Sequence, residues 1–204
     1  MVKPKILIIG THRSGTSNLT TTLAKTFRSK ALGEPWNEWL NRERLGPGIE
    51  PYPYPDGIVN FNIVKTLSQQ VPLTYTKSSV EFNVELSTYF DKVILLTRKD
   101  INEMALSYAK ACERSLWHSE YVIRETDNLD LNIPMHTQAR NMLYEIAEKL
   151  DLPITWYEEL YSGDKFKFTN EVNKWNLDIN IDSFFNHFDP KNRYRKFTNK
   201  QTSI

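Results

Sequence analysis

The segment Gly10-Thr-His-Arg-Ser-Gly-Thr-Ser17 carries the residue types that an anion site needs. It follows the apolar run Lys5-Ile-Leu-Ile-Ile-Gly10 and precedes Leu19, Leu23 and Phe27, which recur at helical spacing. A strand that ends in a glycine-bounded loop and runs straight into a helix turns backbone N–H groups and the positive helix end toward one point. That is the layout of a phosphate cradle. His12 lies within the loop, Arg13 adds a guanidinium whose rigid fork can hold two oxygens, and Ser14, Gly15, Thr16 and Ser17 add amides and hydroxyls. Without a ligand the same pattern is a tight strand-to-helix turn, so a second site has to be weighed with it.

Arg98 supplies that second site. It follows the run Val93-Ile-Leu-Leu-Thr97, and Ser107 lies nine residues further on, in a segment where Met104, Ala105, Tyr108 and Cys112 keep helical spacing. A cation at a strand tip and a hydroxyl in the next helix can converge on one phosphate; singly, they read as a surface ion pair and a solvated helix residue. The glycines of the first loop match the spacing G-x-x-x-x-G-K-[ST], with Ser17 on the hydroxyl position, but Thr16 stands where the lysine belongs. No acid stands at the tip of Leu96-Thr97-Arg98 to hold magnesium, so Arg98 suits a second anion better than a metal. The four histidines have no partners at metal-ligand spacing, and no metal is expected.

These groups need a rigid frame. The runs 5–10 and 93–97 are continuous in apolar residues and too short for helices, as strands buried on both faces of a parallel sheet are. Pro153-Ile-Thr-Trp-Tyr157 reads as a further strand, and Leu73-Thr-Tyr-Thr-Lys77 as a fourth candidate. Leu143, Ile146 and Leu150 mark a helix before the last run. Strand and helix alternate, which predicts one α/β domain over residues 1–204, a doubly wound, mostly parallel sheet of P-loop type with helices on both faces and ligands at the carboxyl ends of the strands. Gly46–Gly57, with four prolines and three glycines, reads as an aromatic loop packed as a cover, and 113–135 shows no clear period.

Composition narrows the partners. A chain of 204 residues with 26 Lys and Arg against 25 Asp and Glu carries a formal charge of +1, so no global positive field draws it to nucleic acid. The single cysteine, Cys112, cannot form an internal disulfide, and no apolar run reaches membrane length. A reducing, cytoplasmic setting without membrane attachment is the expectation. Oligomeric state is not encoded in any of these features.

The loop resembles the 5′-phosphosulfate loop of the sulfotransferases, where Arg-Ser-Gly is followed by Ser or Thr, and Arg98 with Ser107 resembles their 3′-phosphate site. The spacing is closest to that of small bacterial carbohydrate sulfotransferases. Gly33-Glu-Pro-Trp-Asn-Glu-Trp39 is similar to the Gly-Glu-Pro segment of that group, Tyr157-Glu-Glu-Leu160 to a Tyr-Glu-Asp-Leu after a late strand, and Asn192-Arg-Tyr-Arg-Lys196, with Arg193 and Arg195, to a basic stretch near the nucleotide. The resemblance implies transfer of a sulfuryl group from 3′-phosphoadenosine 5′-phosphosulfate (PAPS) to a small-molecule or carbohydrate hydroxyl, without a metal. Arg13 would stabilise the departing oxygen by in-line positioning and charge.

The resemblance also bears on the general base. Many animal members carry Lys-x-His after a strand; here the comparable stretch reads Lys77-Ser78-Ser79, which leaves Lys77 to touch the sulfuryl group and supplies no histidine. The bacterial group uses a glutamate just after Gly-Glu-Pro. Glu38 takes that role if the chain carries one extra residue there, since Asn37 occupies the matching slot, and Glu34 is the competing choice. Trp36 and Trp39 could desolvate Glu38 and raise its pKa, or be ordinary core. Two other readings stay open: a small-metabolite or nucleotide kinase with a degenerate loop in which Arg13 replaces the lysine, and a nucleotide-binding module without catalysis.

Overall fold

Strand β1 (Ile6–Gly10) is buried along its whole length, and its side chains alternate between two separate cores. Ile6 and Ile8 pack on one face with Leu19 and Leu23 of α1 (Thr16–Thr26), while Leu7 and Ile9 pack on the other with Leu143 and Ile146 of α4 (Leu129–Leu150). A strand flanked on both faces cannot afford a polar side, which explains the unbroken apolar run.

The computed structural model describes residues 3–37, 52, 54–58, 60–113 and 129–188. Their strands form a single five-stranded, all-parallel sheet in the order β2-β3-β1-β4-β5, with β2 Ala31–Gly33, β3 Ile63–Leu67, β4 Lys92–Thr97 and β5 Ile154–Trp156. The first layer is completed by α6 (Lys165–Asn173) and α7 (Ile181–His187), which contribute Phe168, Val172 and Phe184. On the second face α2 (Ser79–Ser87) brings Val80, Phe82 and Leu86, and α3 (Ile101–Glu113) packs against α4. The short α5 (Tyr157–Leu160) follows β5 directly. This is the doubly wound α/β architecture expected, and no described helix is long and apolar enough to cross a membrane.

Two expectations need correction. Leu73–Lys77 is not a strand: Tyr75 N–H closes a turn onto Pro72 O at 3.0 Å, Leu73 is half exposed, and Ser78 caps α2 through a reciprocal capping box with Glu81. The missing strand is β3, Ile63-Val-Lys-Thr-Leu67, every residue of which is buried. A lysine in its centre interrupts the apolar pattern, and burial is tolerated because Glu34 pairs with it. Residues 129–135, read as irregular, belong to α4. Pro134 lies in its second turn, where it forfeits a single backbone bond while Asn132 and His136 remain buried.

The described part of the proline-rich stretch does pack as a cover. Tyr52 and Tyr54 lie on the second core, and Trp36 meets Phe82 edge-on at 4.8 Å. Glu85 holds the rings beside them, accepting from Tyr54 Oη at 3.0 Å and Tyr75 Oη at 2.9 Å.

Candidate anion-binding site

The chain leaves β1 for α1 on the first layer, whereas its neighbour β4 leads through α3 to α4 on the second. Adjacent strands that diverge to opposite faces open a crevice at their carboxyl ends, the usual ligand position in such sheets. Thr11 and Thr97, directly beyond and at the ends of these two strands, share a hydrogen bond of 2.9 Å between their hydroxyls and hold the crevice floor.

The loop over this floor is sterically determined. A Cβ on Gly10 would lie 2.3 Å from Thr16 Cγ2 and 2.9 Å from Leu96 O, so only glycine fits there. Gly15 has φ of 85°, in the left-handed region, and a Cβ on it would sit 2.7 Å from the Tyr161 ring. Arg13 also takes a positive φ, 59°. Ser14 is fully buried and its hydroxyl donates to Thr11 O at 2.7 Å, so it braces the loop. No side chain caps α1 and no acid stands in its first turn, which leaves the positive helix end facing the crevice.

Arg13 Nε donates to Ser107 Oγ at 3.2 Å, joining the loop to α3 across the crevice. Ser107 therefore meets Arg13, while Arg98 has other neighbours. The Arg98 guanidinium lies 3.9 Å over the Tyr157 ring, Nη1 reaches Glu103 O at a long 3.4 Å, and Nε is buried without a hydrogen-bond partner. Among the described residues no carboxylate forms an ion pair with Arg98.

Lys65 was missed in the sequence. Its ammonium, buried on β3, donates to Ser17 Oγ at 3.0 Å and pairs with Glu34 Oε1. The lysine that the loop lacks at Thr16 is thus matched by one from a neighbouring strand; reading 63–67 as a strand would have exposed it. Glu34 Oε2 accepts from Asn37 Nδ2 at 2.7 Å and from Gln70 Nε2 at 3.4 Å. Burial raises the Glu34 carboxyl, but the charge and hydrogen bond of Lys65, with Asn37, outweigh it and hold the carboxyl below its ordinary value.

His12, Tyr108 and His136 form a triangle of edge-on rings beside Arg13, with centroids 5.5, 5.1 and 6.3 Å apart. Burial pulls His12 down to about 4; Glu34 opposes this, and Lys65 and Arg13 add to it. Burial, with His12 beside it, lowers His136 to about 4 as well. Both imidazoles are neutral near pH 7.

Lys77 lies away from this network in its contacts: it is exposed and pairs with Glu85 at 3.6 Å. Glu38, Arg193 and Arg195 lie outside the described residues. No family model and no curated protein matches the chain.

Proposed function

We propose that the protein is a sulfotransferase that binds PAPS across the crevice and passes its sulfuryl group to an acceptor hydroxyl. The observation that carries this reading is the pair of cationic sites at the strand ends: the loop with Arg13 and Lys65 on one side, and Arg98, with a buried unpaired Nε, on the other. A donor with a 5′-phosphosulfate and a 3′-phosphate has two anionic ends for these two sites.

In this reading the loop amides and the start of α1 hold the 5′-phosphate, and Arg13 and Lys65 face the sulfuryl group. The acceptor oxygen forms a bond to sulfur as the bond from sulfur to the bridging phosphate oxygen breaks, and the charge that builds on that oxygen is met by Arg13. Lys65 can turn from Glu34 toward the anion, because Ser17, in the first turn of α1, already orients its ammonium. Ser107 holds Arg13 in line.

The acceptor proton needs a destination. Glu34 has both oxygens engaged by donors and its charge committed to Lys65, so we assign it to positioning that lysine. His12, neutral and next to Arg13, takes the proton. An imidazole brought down to about 4 is as basic as an ordinary carboxylate, and a bound polyanion raises it further by stabilising the imidazolium.

Titration with 3′,5′-adenosine bisphosphate, AMP and ATP tests the donor assignment, and transfer of labelled sulfuryl from PAPS over a panel of sugar and phenol acceptors tests the reaction. Tighter binding of the bisphosphate, by about tenfold or more for one additional charge-assisted contact, is expected. Equal binding of the three nucleotides would overturn the reading.

A further inference from the structure

Two stacked rings run between the proposed anion sites. Tyr157 starts α5 immediately after β5, and its ring supports the Arg98 guanidinium at 3.9 Å. Tyr161 stacks on Tyr157, with centroids 4.5 Å apart and planes 25° from parallel. A single helical turn produces the stack: Tyr161 N–H donates to Tyr157 O at 2.8 Å, so positions four apart lie on one face.

Tyr161 then reaches the loop. Its hydroxyl donates to Gly15 O at 2.7 Å, and its ring fills the space that a Gly15 side chain would need. The same carbonyl accepts from Asn18 N–H and Leu19 N–H at 3.1 Å each, so Tyr161 grips the first turn of α1. Behind it the fully buried Phe188 packs at 4.7 Å and keeps the ring from swinging out. Guanidinium, ring, ring and loop carbonyl form one continuous column.

We propose that Tyr157 and Tyr161 are positioning residues that fix the separation between Arg98 and the Gly10–Ser17 loop, so that the protein selects ligands whose two anionic groups are set at one distance. The proposal rests on the two-anion reading above. A cation laid on a ring keeps its charge and loses orientational freedom. With both charges held in advance, the second anionic group of a matching ligand binds without a further ordering cost. A ligand with one anionic group engages one end only and is indifferent to the spacing.

The test is calorimetric titration of the full chain with 3′,5′-adenosine bisphosphate and with AMP, for the wild type, Tyr157→Phe, Tyr157→Leu, Tyr161→Phe and Tyr161→Leu, with circular-dichroism melts to check folding. Each leucine variant should weaken bisphosphate binding by about tenfold and AMP binding by less than about threefold. Tyr157→Phe keeps the ring and should stay near wild type. Tyr161→Phe keeps the stack and loses the grip on Gly15 O, so it serves as the mild probe if a leucine variant does not fold.

A double-mutant cycle makes the outcome decisive: the Tyr161→Phe loss in bisphosphate affinity should vanish in an Arg98→Ala background. Loss of the same size in both backgrounds, or equal losses for bisphosphate and AMP, would reduce the tyrosines to packing and overturn the proposal while the two-anion reading stands. Failure of the wild type to prefer the bisphosphate would overturn that reading, and the proposal with it, before any variant is made.

Discussion

Arg13 and Ser107 meet at 3.2 Å across the crevice, one from the loop after β1 and the other from the helix after β4. The hydrogen bond orients a guanidinium whose own backbone is in the left-handed region, so the side chain and main chain of residue 13 are both committed to one geometry. Arg13→Ala should lower sulfuryl transfer by roughly 10²- to 10³-fold while the chain stays folded. Ser107→Ala should cost less, about tenfold in kcat, through misorientation alone. Steady-state kinetics with PAPS would check both, and a Ser107→Ala loss as large as that of Arg13→Ala would mean that Ser107 contacts the donor directly.

Arg98→Ala should weaken 3′,5′-adenosine bisphosphate by about 1.5 to 3 kcal/mol, the range for a hydrogen bond to a charged group, and should leave AMP nearly unchanged. Calorimetry reads the two side by side. A common loss would assign Arg98 to the packing of Tyr157.

The buried Lys65–Glu34 pair gives a stability prediction. Lys65→Met leaves Glu34 charged in a nearly dry site, and Glu34→Gln leaves Lys65 with Ser17 as its neutral partner, so each single change should cost about 3 to 5 kcal/mol. The double variant should recover much of the loss. Because the folded-state Glu34 pKa lies below the ordinary value, the stabilisation is present above the ordinary carboxylate range and disappears as pH falls through the folded value. Denaturant titration at neutral and acidic pH tests this directly.

The histidines act in a different window. His12 and His136 fall from 6.5 to about 4 on folding, so the unfolded chain binds more protons between these values and stability declines as pH drops from 6.5 toward 4. The slope approaches about 1.4 kcal/mol per pH unit for each histidine. His136→Phe should flatten the decline. If the profile is unchanged, His136 is not neutral in the folded protein.

A chelator separates sulfuryl transfer from phosphoryl transfer. EDTA should leave bisphosphate binding and transfer from PAPS intact, whereas strict dependence on added Mg²⁺ would favour a kinase with a degenerate loop.

The fold was largely legible because strands covered on both faces leave unbroken apolar runs, as at Ile6–Gly10 and Val93–Leu96. It became illegible at Ile63–Leu67, where a charge sits in the middle of a buried strand and its neutralising partner lies thirty-one residues earlier in the chain. The same long-range pairing hid Lys65, whereas Lys77, named for its place in a stretch comparable to Lys-x-His, is exposed and pairs with Glu85. Loop residues were visible because they adjoin one another in sequence. The contacts of Arg13 with Ser107 and of Tyr161 with Gly15 join segments far apart in the chain, and no local pattern encodes them.

The central position of β1 has a consequence for biosynthesis. β1 precedes both of its sheet neighbours, β3 and β4, in the chain, and Thr11 and its partner Thr97 are separated by 86 positions. At about 5 to 20 residues per second, Ile6–Ile9 spends several seconds as a sticky ribbon without either neighbour. During synthesis β1 therefore stays unpaired until residues 63–67 have emerged, and its second edge stays open until residues 92–97 follow.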